Sequence, residues 1–268
     1  MKRRPPSQTV RREHEGQRAV PILNKTATQK CYYSDWPVLY EDNHLLALYK
    51  PAGLLVQGDA TEDVSLLVLG KAWLKEKYRK PGRVFLGLVH RLDRPVAGVV
   101  VFARTSKGAA RLSEQFRSGT VEKRYLAVVA GILEEPAGRW IDQLQREDRN
   151  SRVVASPQTK TREARLRYRV LATRGDTSLV EIDLETGRRH QIRVQFAHRG
   201  HPLLGDMRYG NSTLFPNREI ALLAKSIAFN HPVRDERLTV ESPMPRGWPW
   251  PSVASDPASP PWSWDERP

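Results

Sequence analysis

The sequence predicts one globular body of mixed strands and helices, framed by a basic arm and a proline-rich tail. Three observations lead there. Apolar runs that are β-branched or alternate with charge recur along the chain, as in Gly98–Phe102 (GVVVF) and Val180-Ile182-Leu184. Between them lie segments with helical spacing and stop residues, such as Ala109, Leu112 and Phe116 ahead of Gly119. Hydrophobic residues make up 39% of the 268 positions and charged residues 28%, enough apolar surface for most of the chain to fold.

Residues 1–33 are polar and basic and read as a flexible N-terminal arm. The body spans 34–245. Within it, Leu45–Lys50 (LLALYK) reads as a buried strand that Pro51-Ala52-Gly53 ends. Ser65 is placed to cap a helix with Leu66, Leu69 and Trp73 on its apolar face. After strand Gly98–Phe102, Ser106 is expected to cap a second helix, and Gly119 to end it. Arg124–Ile132 is the next strand. Leu166, Tyr168 and Val170 alternate with Arg165, Arg167 and Arg169, and Val180, Ile182 and Leu184 alternate with Glu181, Asp183 and Glu185. A Gly175-Asp176 turn joins these two strands into a hairpin. Opposite charges across it would help pairing by roughly 0.2–1 kcal/mol each; contact of the arginine row with a nucleic acid stays open beside that. Arg189–Arg199 reads as a helix with Ile192 and Phe196 on one side. Residues 246–268 form a Pro/Trp-rich tail, read as extended chain or a strap over the body.

Lys and Arg number 44 against 30 Asp and Glu, a formal charge of +14, which points to an acidic partner: nucleic acid first, an anionic membrane second. The single cysteine, Cys31, excludes a disulfide framework or a multi-cysteine metal site and fits a reducing compartment. No apolar run reaches the ~18–20 residues of a membrane helix, and no apolar stretch follows basic Met1–Arg12, so neither a span nor a secretory signal is expected. Neither G-x-G-x-x-G, the P-loop pattern nor G-x-S-x-G occurs. His198-Arg-Gly-His201 offers two imidazoles but no third ligand, so no metal site is expected.

Three segments carry candidate chemistry. In His90-Arg-Leu-Asp-Arg94, Asp93 lies between two arginines just before a buried strand. Nearby cations favour the ionised carboxylate, which suits a nucleophile or a partner for a developing cation. A buried ion pair that fixes a loop uses the same residues. In Glu122–Gly131, Tyr125 opens a strand behind two cations, as an active-site ring or as a boundary residue with a buried ring and a wet hydroxyl. In Thr186-Gly-Arg-Arg-His-Gln-Ile-Arg193, a strand turns into a basic helix whose Arg188, Arg189, His190 and Arg193 could hold phosphates or form a solvated face.

Together these stretches resemble the RluA family of RNA pseudouridine synthases. Lys50-Pro-Ala-Gly53, the Asp93 segment with Gly98, Tyr125, Thr186–Arg193, and Gly205-Asp206 through Tyr209-Gly210 stand in the family's order and spacing. Phe229-Asn-His-Pro232 resembles its closing motif. The resemblance covers about Trp36 to Pro245.

It implies an α+β fold: a mixed, mainly antiparallel sheet with flanking helices and a basic central cleft. It implies an isomerase that converts uridine in structured RNA, ribosomal or transfer, to pseudouridine without metal, nucleotide or organic cofactor. Residue by residue, it makes Asp93 the catalytic aspartate, Tyr125 the tyrosine that packs on the base, and Arg193 the arginine that pairs with the aspartate. Arg91 would fill the space left by the extruded nucleotide, and His90, Arg94, Lys50, Arg188 and His190 would join it in contacting RNA. A cytoplasmic monomer without membrane association is expected. Ala97, Pro95-Val96, Gln195 and Leu223 depart from the pattern, in places where the family usually has serine, a polar pair, histidine and histidine. A catalytically silent RNA-binding protein on the same fold is the alternative; a glycosidase with paired carboxylates ranks below both, because only Asp93 has a suitable setting.

Overall fold

The structure, a computed structural model, describes residues 38–250 except 62, 149, 158, 216–218 and 246. The 1–33 arm lies outside the described residues. The strands are β1 (Val38–Glu41), β2 (Leu45–Lys50), β3 (Gly87–Leu88), β4 (Ala97–Ala103), β5 (Glu122–Ala130), β6 (Ala137–Glu147), β7 (Asn150–Val154), β8 (Thr161–Thr173), β9 (Thr177–Leu184), β10 (Leu222–Asn230) and β11 (Arg237–Glu241). The helices are α1 (Leu66–Lys77), α2 (Ser106–Ser118) and α3 (Gln191–His198).

One sheet runs β1-β2-β4-β10-β5-β9-β8-β6-β7, with β3 added to β4 and β11 to β10. Among the described strands its one parallel pairing is β4 with β10, where Leu223 faces Ala97 and Ala224 faces Gly98. That pairing is tight. Gly98 has φ +131°, and a Cβ there would lie 2.4 Å from the Ala224 carbonyl oxygen, so only glycine fits. The expected mixed, mainly antiparallel architecture is therefore observed.

Alternation along the strands sorts the core into two faces. Leu46, Leu48, Val100 and Phe102 pack with Leu66, Leu69 and Leu74 of α1 and with Ile192 and Phe196 of α3. Leu45, Ala47, Val99 and Val101 pack with Leu112, Ala109 and Phe116 of α2. So α2 covers one side of the sheet, and α1 and α3 cover the side that holds the site described below.

Several element boundaries differ from the sequence expectation. Ser65 does sit at the N-cap of α1, but its hydroxyl is buried without a partner. The first helical N–H groups bond instead to the carbonyls of Leu55 and Val56, a local bridge that propensity rules do not see. The cap of α2 is Thr105 rather than Ser106, with the threonine hydroxyl accepting from Gly108 N at 3.1 Å. Strand β5 starts and ends two residues earlier than Arg124–Ile132 because Gly131, at φ +78°, terminates it. Helix α3 begins at Gln191, since His190 adopts a left-handed conformation.

The β8–β9 hairpin closes through reciprocal bonds between Arg174 and Thr177. Its arginine row is engaged in ion pairs: Arg169 with Glu181 at 2.8 Å, Arg167 with Glu185 at 3.0 Å, and Arg165 with both Glu163 and Glu185. Arg139 adds a two-pronged bond to Glu185, 3.0 and 2.8 Å. Cross-strand pairing thus accounts for the row.

The departures from the family pattern also have packing roles. Ala97 and Leu223 are buried together with Tyr49 and Ala52. Gln195 is fully buried and donates to Asp142 at 2.7 Å. His231, in the closing motif, accepts the N–H groups of Val233 and Arg234 on Nδ1 and meets Asp42 through Nε2 at 2.9 Å, tying the β10–β11 turn to the β1–β2 turn. Trp250 and Trp248 pack on Val128 and Ala221, so the described chain beyond residue 245 lies against the sheet.

Candidate active site

The loop between β3 and β4 presents Asp93. Leu92 and Val96 anchor it in the core. Lys50, at the end of β2, reaches under it. The Lys50 ammonium is fully buried and donates to the carbonyls of Pro51 (3.0 Å), Leu54 (2.8 Å) and Arg94 (3.0 Å). Gly53 N also donates to the Arg94 carbonyl at 2.8 Å. Burial pulls the Lys50 pKa down to about 7. His90 stacks on Phe116, with ring centres 5.0 Å apart, and its Nε2 accepts the Val101 N–H at 2.9 Å. Burial lowers its pKa to about 3, so the ring is neutral. Two strand ends and the sheet therefore fix the backbone on either side of Asp93, whose carboxylate stays 30% exposed.

Helix α3 delivers the arginine. Gln191 Oε1 accepts from Thr186 Oγ1 (2.7 Å) and Arg188 N (3.0 Å), while its Nε2 donates to the Arg165 carbonyl (3.0 Å). This one amide organises the turn before the helix. Arg193 then projects into the sheet, nearly inaccessible to water. Its Nε and Nη2 grip Asp206 at 2.6 and 2.7 Å, and its Nη1 donates to Asp93 Oδ2 at 3.3 Å. Burial alone would weaken the guanidinium charge; the Asp206 bonds overcome this and hold the Arg193 pKa above its ordinary value. Asp206 is itself buried in a turn that requires glycine before it. Gly205 has φ +82°, and a Cβ would meet the Glu219 carbonyl and the Phe215 ring at 2.5 Å.

His190 faces the same carboxylate. Its Nε2 lies 3.6 Å from Asp93 Oδ2, and its Nδ1 lies 2.8 Å from the Tyr209 hydroxyl. That hydroxyl accepts the Ser151 N–H at 3.0 Å, which leaves its own proton to donate to Nδ1. Burial, together with the surrounding arginines, lowers the His190 pKa to about 4 against the pull of Asp93. A neutral imidazole that accepts on Nδ1 carries its proton on Nε2, toward Asp93. The Tyr209 ring also lies 5.2 Å from the Arg193 guanidinium carbon.

Tyr125 completes the group. In β5 it pairs with Ala224, which pairs in turn with Gly98 at the start of the strand that Asp93 precedes. The ring packs partly buried against the α1/α3 side of the core. Burial, and then the Asp93 charge, raises its pKa, so the phenol is a neutral hydrogen-bond donor.

Arg193 and His190 thus both approach the same oxygen of Asp93, with Tyr125 close enough to feel the Asp93 charge. The other expected positions divide. Lys50 is a correction: with its ammonium buried and bonded to three carbonyls, it braces the loop and cannot reach RNA. His90 is a second correction, because it is a neutral, stacked ring whose Nε2 serves the backbone. Arg94 donates to Gly53 O at 2.9 Å and pairs with Asp63 at 2.8 Å on the exposed side of the loop. Arg91 is exposed, and Arg188 is half-buried with its Nε on the Glu163 carbonyl. Sequence reasoning assigned no role to Asp206 or Tyr209. Their signal was the Gly205-Asp206…Tyr209-Gly210 string, which lies beside the other motifs only in the folded chain. Among the described residues no cluster of His, Cys, Asp and Glu has metal-binding form.

A sequence model for RNA pseudouridylate synthase matches residues 44–198. An uncharacterized RNA pseudouridine synthase of Bacillus subtilis, YhcT, is 35% identical over 217 residues, 80% of this chain and 70% of that protein. Ribosomal large subunit pseudouridine synthase C of Vibrio cholerae is 32% identical over 230 residues, 84% of this chain and 70% of the other. Among solved structures, human RNA pseudouridylate synthase domain containing 4 superposes with a TM-score of 0.66 at 25% identity, covering 78% of this chain and 88% of that one.

Proposed function

The chain belongs to the RluA family of RNA pseudouridine synthases and is an isomerase acting on RNA, and from that premise we propose that it modifies a uridine of large-subunit ribosomal RNA through Asp93. The observation that carries the catalytic reading is the asymmetric arginine. Asp206 takes two N–H groups along one edge of the Arg193 guanidinium inside the protein, and Nη1 holds a single oxygen of the open Asp93 carboxylate. A carboxylate held this way has its second oxygen free for substrate. The ribosomal substrate is supported by what similar proteins are named for, in Vibrio cholerae and in Xanthomonas campestris.

Isomerisation breaks the bond between uracil N1 and ribose C1′, turns the base, and joins C5 to C1′. The uridine must first leave its stack, at a cost of a few kcal/mol. Asp93 acts either as a nucleophile, its oxygen bonding to C1′ as uracil N1 leaves and departing again when C5 joins C1′, or as a base that takes the C2′ proton as the N1–C1′ bond breaks and returns it when C5 adds to the glycal. Arg193 and the His190 Nε2–H orient that oxygen and balance its charge. The Tyr125 ring offers a stacking surface for the released base, worth roughly 1–3 kcal/mol, and in this reading its hydroxyl handles the C5 proton. Exposed Arg91 fills the space left by the nucleotide, and Arg94 and Arg188 contact the RNA. A cytoplasmic location is part of this proposal and fits a ribosomal substrate. Retention of Asp93, Tyr125 and Arg193 close together argues for turnover rather than silent binding.

Mapping pseudouridines in RNA from cells with and without this protein tests the substrate. The expected result is loss of at least one large-subunit position; an unchanged ribosomal map with a lost transfer-RNA position overturns the ribosomal reading.

A further inference from the structure

Lys123 lies two residues before Tyr125 on β5, hence on the same face of the sheet. Its ammonium extends over the turn that opens α3: a Cβ on Gly187 would lie 3.8 Å from Lys123 Nζ, and glycine leaves that space open. Among the described residues the Lys123 ammonium makes no hydrogen bond or ion pair. Its charged neighbour is Arg188, also a cation. Arg188 in turn faces Arg162 and Arg165. Glu163 attracts it, but that carboxylate is held by Arg165, and Arg188 reaches only the Glu163 backbone carbonyl, at 2.9 Å. On the other side stands His90, a neutral ring.

We propose that Lys123 and Arg188 form a seat for one backbone phosphate of the RNA strand that carries the target uridine. A partly buried ammonium without a counter-charge is costly. Its cost is apparent in a pKa drawn down to about 8 by burial and by Arg188. A phosphate supplies the missing charge, with an ammonium on one side and a guanidinium fork on the other. The seat lies over the turn before α3, on the β5 face that also carries Tyr125. The paired arginines of β8 differ in kind, since each already meets a carboxylate.

The inference rests on RNA being the substrate, and one experiment separates the two. Binding of ribosomal RNA fragments is measured over a salt series for the full chain and for Lys123→Met, Lys123→Gln and Lys123→Arg, with Arg169→Met as a surface control. Loss of one phosphate contact lowers the slope of log K against log salt by about 0.7. Both uncharged Lys123 variants are expected to show that drop and to bind about five- to tenfold more weakly at low salt, while Lys123→Arg and Arg169→Met keep the parent slope. Slopes unchanged in Lys123→Met and Lys123→Gln overturn the seat while leaving RNA as substrate. Failure of the parent protein to bind RNA overturns both.

Discussion

Two arginine-rich stretches of this chain have similar composition and opposite physical meaning. On the outer face of β8 and β9, Arg165, Arg167 and Arg169 meet Glu181 and Glu185 in water, and Glu185 serves several partners at once. At the start of α3, Arg193 is buried against a buried Asp206 and has one hydrogen-bond donor directed at Asp93. Exposed pairs contribute roughly 0–1 kcal/mol and tolerate replacement. A buried pair is different: removing one member strands the other's charge, at about 3–5 kcal/mol. Burial, rather than the number of arginines, separates a solvated ladder from a site.

The sharpest way to break that contrast is Arg193→Met. It should destabilise the protein by about 3–5 kcal/mol in urea titration, because Asp206 keeps a buried charge without its partner. It should also lower turnover by at least about a thousandfold. A variant as stable as the parent would place Arg193 in the same class as the surface ladder.

Acid should separate the regions next. His90 and His190 are held neutral with pKa values of about 3 and about 4, whereas histidine in an unfolded chain binds its proton near 6.5. Between those limits the unfolded state carries more protons, so stability falls as pH is lowered from about 6.5 toward 4. The expected loss is roughly 2 kcal/mol for each histidine by pH 5, seen in denaturant midpoints at pH 7, 6 and 5. His90→Asn and His190→Asn should each flatten the slope; an equally steep slope in both variants would contradict the neutral assignment.

Tyr209→Phe removes the hydroxyl that donates to His190 Nδ1 without emptying the space of the ring. Turnover should fall about tenfold, equivalent to about 1.4 kcal/mol. The acid limb of the pH–rate profile should move to higher pH, since a free Nδ1 binds a proton more readily. A lower rate with an unmoved limb would reduce Tyr209 to packing. The smallest effect belongs to the ladder: Arg169→Ala should change stability by less than about 1 kcal/mol and leave turnover at the parent value.

Much of this arrangement is legible in the sequence because its signals are local. The β-branched run at Gly98–Phe102, the Gly175-Asp176 turn and the alternation of Val180, Ile182 and Leu184 each imply an element without reference to distant residues. The resemblance of the motifs singled out Asp93, Tyr125 and Arg193, which the fold gathers from three separate elements. What stayed hidden depends on tertiary contact. Lys50 reads as the last residue of a strand, given an RNA contact by the resemblance, and only the approach of the Arg94 carbonyl shows that its ammonium is enclosed. His90 reads as polar until Phe116 of α2 is stacked on it. The Ser65 hydroxyl loses its capping role because the carbonyls of Leu55 and Val56 arrive first. Asp206 and Tyr209 matter through Arg193, His190 and Ser151, which lie at least 13 positions away in the chain.

Tritium release from RNA labelled at uridine C5 tests the role of Asp93 most directly, because exchange of that hydrogen accompanies formation of the new carbon–carbon bond. Release by the parent protein and none above background by an equally stable Asp93→Asn variant is the predicted result. Release by Asp93→Asn at the parent rate would contradict the assignment of the reaction to this carboxylate.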